Sequence, residues 1–154
     1  MATNKFAAAA VVTLALLWAA PVVAEEEGPS LYDRLGGVYA IASVVDEFIE
    51  RLLVNDTLNA NPAISEARDR VPKAGLKYRV TALVAQATGG PEVYKGRSML
   101  ETHAHLNISE REWIAMAAEF EAVLYKFNVP KAEQDELFAI VETLKGDIVT
   151  ASDN

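Results

Sequence analysis

Apolar side chains recur every three or four residues along most of the chain after residue 30, which is the spacing of amphipathic α-helices. Sustained alternation of apolar and polar residues, the mark of β-strands, is nearly absent. The pattern therefore predicts an all-α fold of about six helices. The helical segments are 31–35, 38–54, 63–70 and 73–88, followed by three that begin near residues 98, 109 and 130, whereas 55–62 is predicted to be a loop.

Capping and helix-breaking residues support these boundaries. The expected helix starts carry Ser30, Pro72, the Ser109–Glu112 capping-box pair and Pro130. The glycine pairs Gly36-Gly37 and Gly89-Gly90 are expected at helix ends and sharp changes of direction.

The same spacing predicts which side chains face the interior. In the second helix they are Ile41, Val44, Val45, Phe48, Ile49 and Leu52, and in 73–88 they are Leu76, Val80, Leu83, Val84 and Ala87. The helix near 98 carries Met99, Leu100, His103 and Leu106, and the long helix after 109 carries Trp113, Met116, Ala117, Phe120, Val123, Leu124 and Phe127. The last helix carries Leu137, Ile140, Val141, Leu144 and Ile148.

The N-terminal segment has the layout of a secretory signal peptide. Lys5 precedes an apolar run over 6–20, and short side chains at 22–24 precede three glutamates at 25–27. The run is too short for a comfortable membrane span, which disfavours the alternative of an uncleaved anchor. We predict a signal peptide 1–24, a short acidic linker 25–30, a globular domain 31–150 and a disordered tail 151–154, in a periplasmic or secreted protein.

Composition narrows the classes of function. The 154 residues include 51% hydrophobic residues, enough for a core, and the length suits one domain. The formal charge of −8 disfavours nucleic-acid binding, because that needs clustered cations. The absence of cysteine excludes disulfides, thiol catalysis, Fe–S clusters and thioether-attached haem. No hydrolase, nucleotide-loop or zinc-protease motif is present.

The two histidines, His103 and His105, are the remaining candidates for chemistry. Two positions along a helix differ by about 200°, so the pair is not expected to chelate one metal ion. His103 has apolar neighbours at three and four positions, Met99 and Leu106, whereas His105 has mixed ones. Two interpretations stay open on spacing alone: a structural, hydrogen-bonded His103, or an axial ligand of a large apolar cofactor.

The order of several short motifs resembles that of the truncated haemoglobins, and most closely group 1. The motifs are 31–37 (LYDRLGG), 44–48 (VVDEF), 89–91 (GGP), Tyr94-x-Gly96-Arg97-x-Met99 followed by His103, 126–130 (KFNVP) and 146–149 (GDIV). They span about residues 30–149.

The resemblance implies a two-over-two helical sandwich around haem b. It implies that His103, four residues after Met99, is the proximal iron ligand and that His105 is a bystander. The residues implied to contact the cofactor are Phe48, Ile49, Leu76, Arg79, Val80, Leu83, Val84, Tyr94, Arg97, Met99 and His103. Among these, Arg79 and Arg97, together with Lys77 and Lys95, are candidates to meet the propionates.

This sequence departs from the family pattern at several distal positions, and these departures change the expected function. Ile49 stands where group 1 proteins typically have a ligand-binding tyrosine, Leu76 and Val80 occupy the distal helix, and Asn61-Pro62 replaces the usual phenylalanine pair. The resemblance thus implies a globin with an apolar distal pocket that binds O₂, CO or NO through His-ligated iron. Tyr78, about 200° from Leu76, is expected to point outward.

Two alternatives stay open. One is a haem enzyme, a peroxidase or a nitric-oxide-consuming activity, which needs polar distal groups such as an inward-swinging Arg79. The other is a haem-free, globin-like interaction domain. The expected partners are a small gas ligand and an unidentified reductase. We expect a monomer, with no nucleic acid and, once the signal peptide is cleaved, no membrane.

Overall fold

A computed structural model describes residues 28–151, and this part of the chain is helical without named β-strands. The helices are α1 (Leu31–Arg34), α2 (Gly37–Val54), α3 (Asp56–Asn59), α4 (Pro62–Arg70), α5 (Lys73–Ala87), α6 (Met99–His103), α7 (Glu110–Lys126) and α8 (Lys131–Ile148). A 3₁₀ turn over Ala104–Leu106 follows α6. The predicted all-α fold is confirmed, and the one α-helix of this range without a predicted counterpart is α3.

The prediction of a continuous loop over 55–62 is wrong. The side chain of Asn55 accepts a hydrogen bond from the backbone N–H of Leu58 and caps the single turn of α3. Leu58 is buried, which anchors that turn. Pro62 then takes the first position of α4, capped by Asn61. Asparagine and proline favour loops and helix starts alike, and here they start helices.

The expected helix from 98 through Leu106 ends earlier than the pattern indicated. Helix α6 stops at His103, and Asn107 adopts a left-handed conformation with φ of 49° after the 3₁₀ turn. Leu106 is buried at the end of that turn. His103 is therefore the last α-helical residue before a change of direction.

Helix α2 is at the centre of the packing and contacts both α5 and α7. One core cluster lies between α2 and α5 and contains Ile41, Val45, Ile49 and Ala85. A second joins α1, α7 and α8 through Leu31, Phe120, Leu124 and Leu137. The ring of Phe120 connects the two regions, because its centroid lies 5.3 Å from those of Phe48 on α2 and Phe138 on α8.

One glycine of each pair, Gly37 and Gly90, lies against the side chain of Tyr32 on α1. The Tyr32 N–H donates to the carbonyl of Thr88 at the end of α5, with an N···O distance of 2.8 Å. A Cβ on Gly90 would lie 2.5 Å from the Tyr32 ring, and one on Gly37 would lie 3.6 Å from its hydroxyl oxygen. Glycine at position 90 thus allows α1 to dock on the end of α5.

Three residues predicted to face the interior are exposed: Ala87 on α5, Leu100 on α6, which is 49% exposed, and Phe127 after α7. On α5, the fully buried residues are Ala82 and Ala85, whereas Ala87 is exposed and the larger apolar residues are half-buried. Small side chains allow α5 to approach its neighbours closely, and the larger ones face a cavity. Phe127 is also exposed, because it follows the last turn of α7 and lies outside the helical period.

The predicted signal peptide, residues 25–27 of the acidic linker and residues 152–154 lie outside the described residues. Within 28–151, no helix has the length and apolar character needed to cross a membrane. At the other end of this range, the N–H groups of Thr150 and Ala151 both donate to the Ile108 carbonyl at 3.0 Å.

Candidate functional site

A cavity of about 1000 Å³ opens between α2, α4, α5, α6, α7 and α8. All the side chains singled out as cofactor contacts line it: Phe48, Ile49, Leu76, Arg79, Val80, Leu83, Val84, Tyr94, Arg97, Met99 and His103. The folded chain therefore brings together residues that are up to 55 positions apart in sequence. Most of the lining is apolar, which suits a large, flat, apolar group.

His103 is half-buried in the wall of this cavity, and its ring is held on one side. The Nδ1–H donates to the carbonyl oxygen of Met99, with an N···O distance of 2.9 Å, and the Thr102 hydroxyl oxygen is also 2.9 Å from Nδ1. A carbonyl oxygen only accepts hydrogen bonds, so Nδ1 carries the proton and Nε2 keeps its lone pair. Nε2 makes no hydrogen bond to any residue of the described range.

Burial lowers the pKa of His103 below its ordinary value, and nearby His105 lowers it further, while the Met99 hydrogen bond opposes the shift. The neutral ring is therefore favoured, and a neutral imidazole with a free Nε2 is the form that ligates metals. His105 also lines the cavity but is exposed.

The local sequence fixes the position of His103 through the cap of α6. Ser98 accepts from the N–H of Glu101, and the Glu101 carboxylate accepts from the N–H and hydroxyl of Ser98. These bonds, and to a smaller extent the charge of Arg97, lower the pKa of Glu101. The capping box defines the first turn of a five-residue helix and so defines where its last residue, His103, lies.

The loop before α6 is held by Tyr94. Its backbone N–H donates to the Gln86 side chain at 2.7 Å, and its hydroxyl donates to the Arg97 carbonyl at 2.9 Å. The ring passes so close to Gly96 that a Cβ there would lie 2.0 Å from the hydroxyl oxygen. The Tyr-x-Gly-Arg motif thus encodes a compact loop at the edge of the cavity.

Helices α2 and α5 supply an apolar wall of the cavity, which we define as Ile49, Leu76, Val80 and Val84. Ile49 on α2 is only 3% exposed, and the other three on α5 are half-buried. None of these side chains can donate a hydrogen bond. Tyr78 is 71% exposed and points away from this wall, as the helical angle predicted.

Three cations, Arg79, Lys95 and Arg97, stand at the edge of the cavity, and we call them the rim cations. All three are exposed and have no carboxylate within 4.0 Å among residues 28–151. Lys77, the other propionate candidate, does not line the cavity and instead pairs with Asp46 and Glu50.

Arg68 on α4 is a cavity residue that the sequence did not reveal. Its guanidinium donates to the carbonyl oxygens of Leu52 and Leu53, at 2.7 and 3.1 Å, and so caps the end of α2. Burial lowers the pKa of Arg68. The apolar spacing of Ile64, Ala67 and Val71 was the signal that this segment faces the interior.

The described residues contain no group of three or more His, Cys, Asp or Glu side chains arranged to hold a metal ion. In place of such a cluster, the cavity offers the half-buried imidazole of His103, with the exposed His105 two residues away. That arrangement suits a cofactor that brings its own metal and most of its ligands.

Comparisons with known proteins agree with this geometry. A profile of the bacterial-like globin family matches residues 30–150. The group 1 truncated haemoglobin GlbN of a Nostoc species is 30% identical over 120 residues, covering 78% of this chain and 97% of the relative. The GlbN of a Synechocystis species is 32% identical over 123 residues, covering 76% and 90%.

Solved structures show the same fold. The truncated haemoglobin of Tetrahymena pyriformis superposes with a TM-score of 0.66 at 22% identity, covering 79% of this chain and 98% of that one. The 2/2 haemoglobin of Synechococcus sp. PCC 7002, solved with covalently attached haem, gives 0.65 at 24% identity with the same coverage. The two-over-two helical fold is thereby confirmed. The chain belongs to the bacterial-like globin family as a group 1 truncated haemoglobin, and this membership implies a haem-binding globin with small gas ligands.

Proposed function

We propose that this chain binds haem b in the large cavity, with His103 as the axial ligand, and that it binds small diatomic gases there. The observation that carries the proposal is the state of His103 itself. A half-buried, neutral imidazole has its Nδ1–H occupied by the Met99 carbonyl, and its Nε2 is free at the wall of an apolar cavity.

The residues present fit this cofactor in three respects. The cavity of about 1000 Å³ is large enough for a porphyrin and is lined mainly by apolar side chains. Of the two imidazoles that line the cavity, that of His103 is half-buried, has a free Nε2 and is available for the iron. The exposed rim cations, Arg79, Lys95 and Arg97, match the need of two propionates for positive charge at the solvent edge.

Bound haem supplies an iron with a coordination position for a diatomic gas. The chain's own contribution on the gas side is the apolar wall of Ile49, Leu76, Val80 and Val84. Bound oxygen carries partial negative charge, and a missing hydrogen-bond donor costs about 1–2 kcal/mol. Carbon monoxide is less polar when bound, so the wall favours carbon monoxide over oxygen by about tenfold relative to a pocket with a donor.

Titration of the haem-free chain with haemin tests the cofactor and the ligand together. The wild type should form a stoichiometric complex with a sharp Soret band, and its ferrous form should bind carbon monoxide. His103→Ala should lose stable haem binding, because no second imidazole occupies that position. His105→Ala is the matched control and should keep the wild-type spectrum, since His105 is exposed.

Each contrary outcome has a definite meaning. Full haem binding by both variants would show that neither imidazole ligates the iron. Loss of haem binding in His105→Ala alone would show that His105, and not His103, ligates the iron. Slow oxygen release from the wild-type ferrous protein would show that a polar group reaches the wall that we describe as apolar.

A further inference from the structure

Unpaired positive charge is concentrated beside the cavity in an otherwise acidic protein. The chain has a formal charge of −8. Most of its described cations form ion pairs with carboxylates, for example Arg34 with Glu133, Lys77 with Asp46 and Lys145 with Glu110. The cations without a carboxylate within 4.0 Å among residues 28–151 are Arg68, Arg79, Lys95, Arg97 and Arg111. All of these except Arg111 line the cavity.

Two of these cations share a surface depression with exposed aromatic and aliphatic side chains. The depression has a volume of about 290 Å³ and is lined by Tyr78, Arg79, Ala82, Val93, Tyr94 and Lys95; we call it the outer pocket. Tyr78 and Val93 are 71% and 67% exposed. Aromatic residues and arginine, without carboxylates, are typical of the centres of protein–protein interfaces.

The outer pocket adjoins the cofactor cavity directly. Arg79, Tyr94 and Lys95 line both. The neighbouring carboxylate, Glu92, is half-buried and accepts a hydrogen bond from Tyr32, so it is turned away from this surface. A protein bound in the outer pocket would therefore be separated from the cavity by little more than the Tyr94 loop.

We propose that the outer pocket is the docking site of an acidic one-electron carrier protein that reduces the haem iron. The proposal rests on the proposed function, because the binding of oxygen and carbon monoxide requires ferrous iron. In the step, one electron leaves the partner's reduced centre and converts ferric to ferrous iron; the partner is oxidised by one electron and no bond is made or broken. The two negative charges of the propionates are fewer than the three positive charges of the rim cations, so this edge of the cavity stays positive and attracts an acidic partner. The rest of the surface is acidic and repels the same partner from other positions.

Stopped-flow reduction of the ferric, haem-loaded chain provides the test, with a reduced plant-type [2Fe–2S] ferredoxin as the acidic probe. The reaction is run anaerobically under carbon monoxide, which reports the ferrous product. The wild-type second-order rate should fall steeply with ionic strength. Lys95→Glu should lower the rate at low salt about tenfold and remove most of the salt dependence. Tyr78→Ser and Val93→Ser should each lower it several-fold while leaving the Soret band unchanged, since neither residue lines the cofactor cavity.

Matched controls lie elsewhere on the surface. Arg111 is exposed and lines neither cavity, and Tyr125 is 81% exposed on α7. Arg111→Glu and Tyr125→Ser should react at the wild-type rate. A water-soluble carbodiimide should join Lys95 to a ferredoxin carboxylate, and mass spectrometry of the cross-linked peptides would locate the contact without relying on electron transfer.

The outcomes separate this proposal from the proposed function. A chain that binds no haemin contradicts the proposed function itself. A chain that binds haemin, is reduced by dithionite and binds carbon monoxide, but whose Tyr78, Val93 and Lys95 variants react like the controls, overturns the docking site alone. Adsorption of the wild type, but not Lys95→Glu, to dioleoylphosphatidylglycerol vesicles would assign the surface to a membrane and would also overturn the proposal.

Discussion

At the scale of single residues, Gly90 is the position where one added methyl group has the clearest consequence. A Cβ there would lie 2.5 Å from the Tyr32 ring and 2.8 Å from the Ala85 carbonyl oxygen. We expect Gly90→Ala to destabilise the fold by about 1–3 kcal/mol, because α1 must move away from the end of α5. Urea unfolding, followed by circular dichroism, measures the change.

Gly146 is the matched control for that substitution. It lies within α8, and a Cβ at this position meets nothing within 4 Å. Gly146→Ala should therefore stabilise the protein by about 0.5–1 kcal/mol through helix propensity alone. Equal effects at the two positions would contradict the close contact between Gly90 and Tyr32.

The candidate site shows which residues a sequence can reveal. His103 could be predicted as a site residue because histidine is rare in this chain and the helical neighbours of His103 are apolar. Arg68 could not be predicted as a site residue, because an arginine in a polar helix is ordinarily expected to be solvated. Its role depends on the carbonyls of Leu52 and Leu53, which α4 reaches only after the chain has turned back through α3.

At the scale of elements, α4 depends on polar contacts rather than on burial. None of its residues is fully buried. The Asn61 side chain before it donates to the Leu106 carbonyl at 3.0 Å, and Arg68 near its end donates to the last carbonyls of α2. These contacts fasten α4 along one side of the cavity.

Arg68→Met should therefore loosen the end of α2 and the adjoining α4. Methionine preserves much of the side-chain length but removes both donors, and losing two charge-assisted bonds at a partly exposed site costs about 1–2 kcal/mol. Denaturant unfolding gives the overall loss, and amide hydrogen exchange should show faster exchange confined to α4 and the end of α2.

Arg70→Met is the companion variant, because the exposed Arg70 pairs with Glu66 one turn away on the same helix and caps no other element of the described range. Such a surface pair contributes little. Hydrogen exchange that rises equally in both variants would show that Arg68 acts as an ordinary surface charge.

The short elements show where helical periodicity fails to predict the structure. It predicted the long helices, because each contains several turns of the apolar repeat. Helix α3 has four residues, which are too few to show an apolar repeat. Its N-cap is Asn55, and asparagine is equally common in turns. The end of α6 at His103 was hidden for a related reason, since Leu106 continues the helical spacing through a 3₁₀ turn.

At the scale of the whole molecule, the cavity is the feature that periodicity does not provide. The spacing of Leu76, Val80 and Val84 predicts that they face inward, and they do. Periodicity does not tell whether another side chain or an open volume lies opposite them. The expectation of a cavity came from the order of motifs, which resembles that of the truncated haemoglobins. In the folded chain every residue expected to line it does line one cavity.

The remaining prediction concerns the leader, which lies outside the described residues. We propose that the chain is exported and cleaved between Ala24 and Glu25, because a cationic start and an apolar run precede short residues at 22–24. Expressed at full length in a Gram-negative host, the protein should appear in the periplasmic fraction with the intact mass of residues 25–154. Leu16→Arg places a charge in the apolar run and should retain the uncleaved chain in the cytoplasm, whereas Leu16→Val should behave like the wild type. A periplasmic protein that keeps Met1–Ala24 would be an anchored form, and wild-type protein confined to the cytoplasm would overturn export altogether.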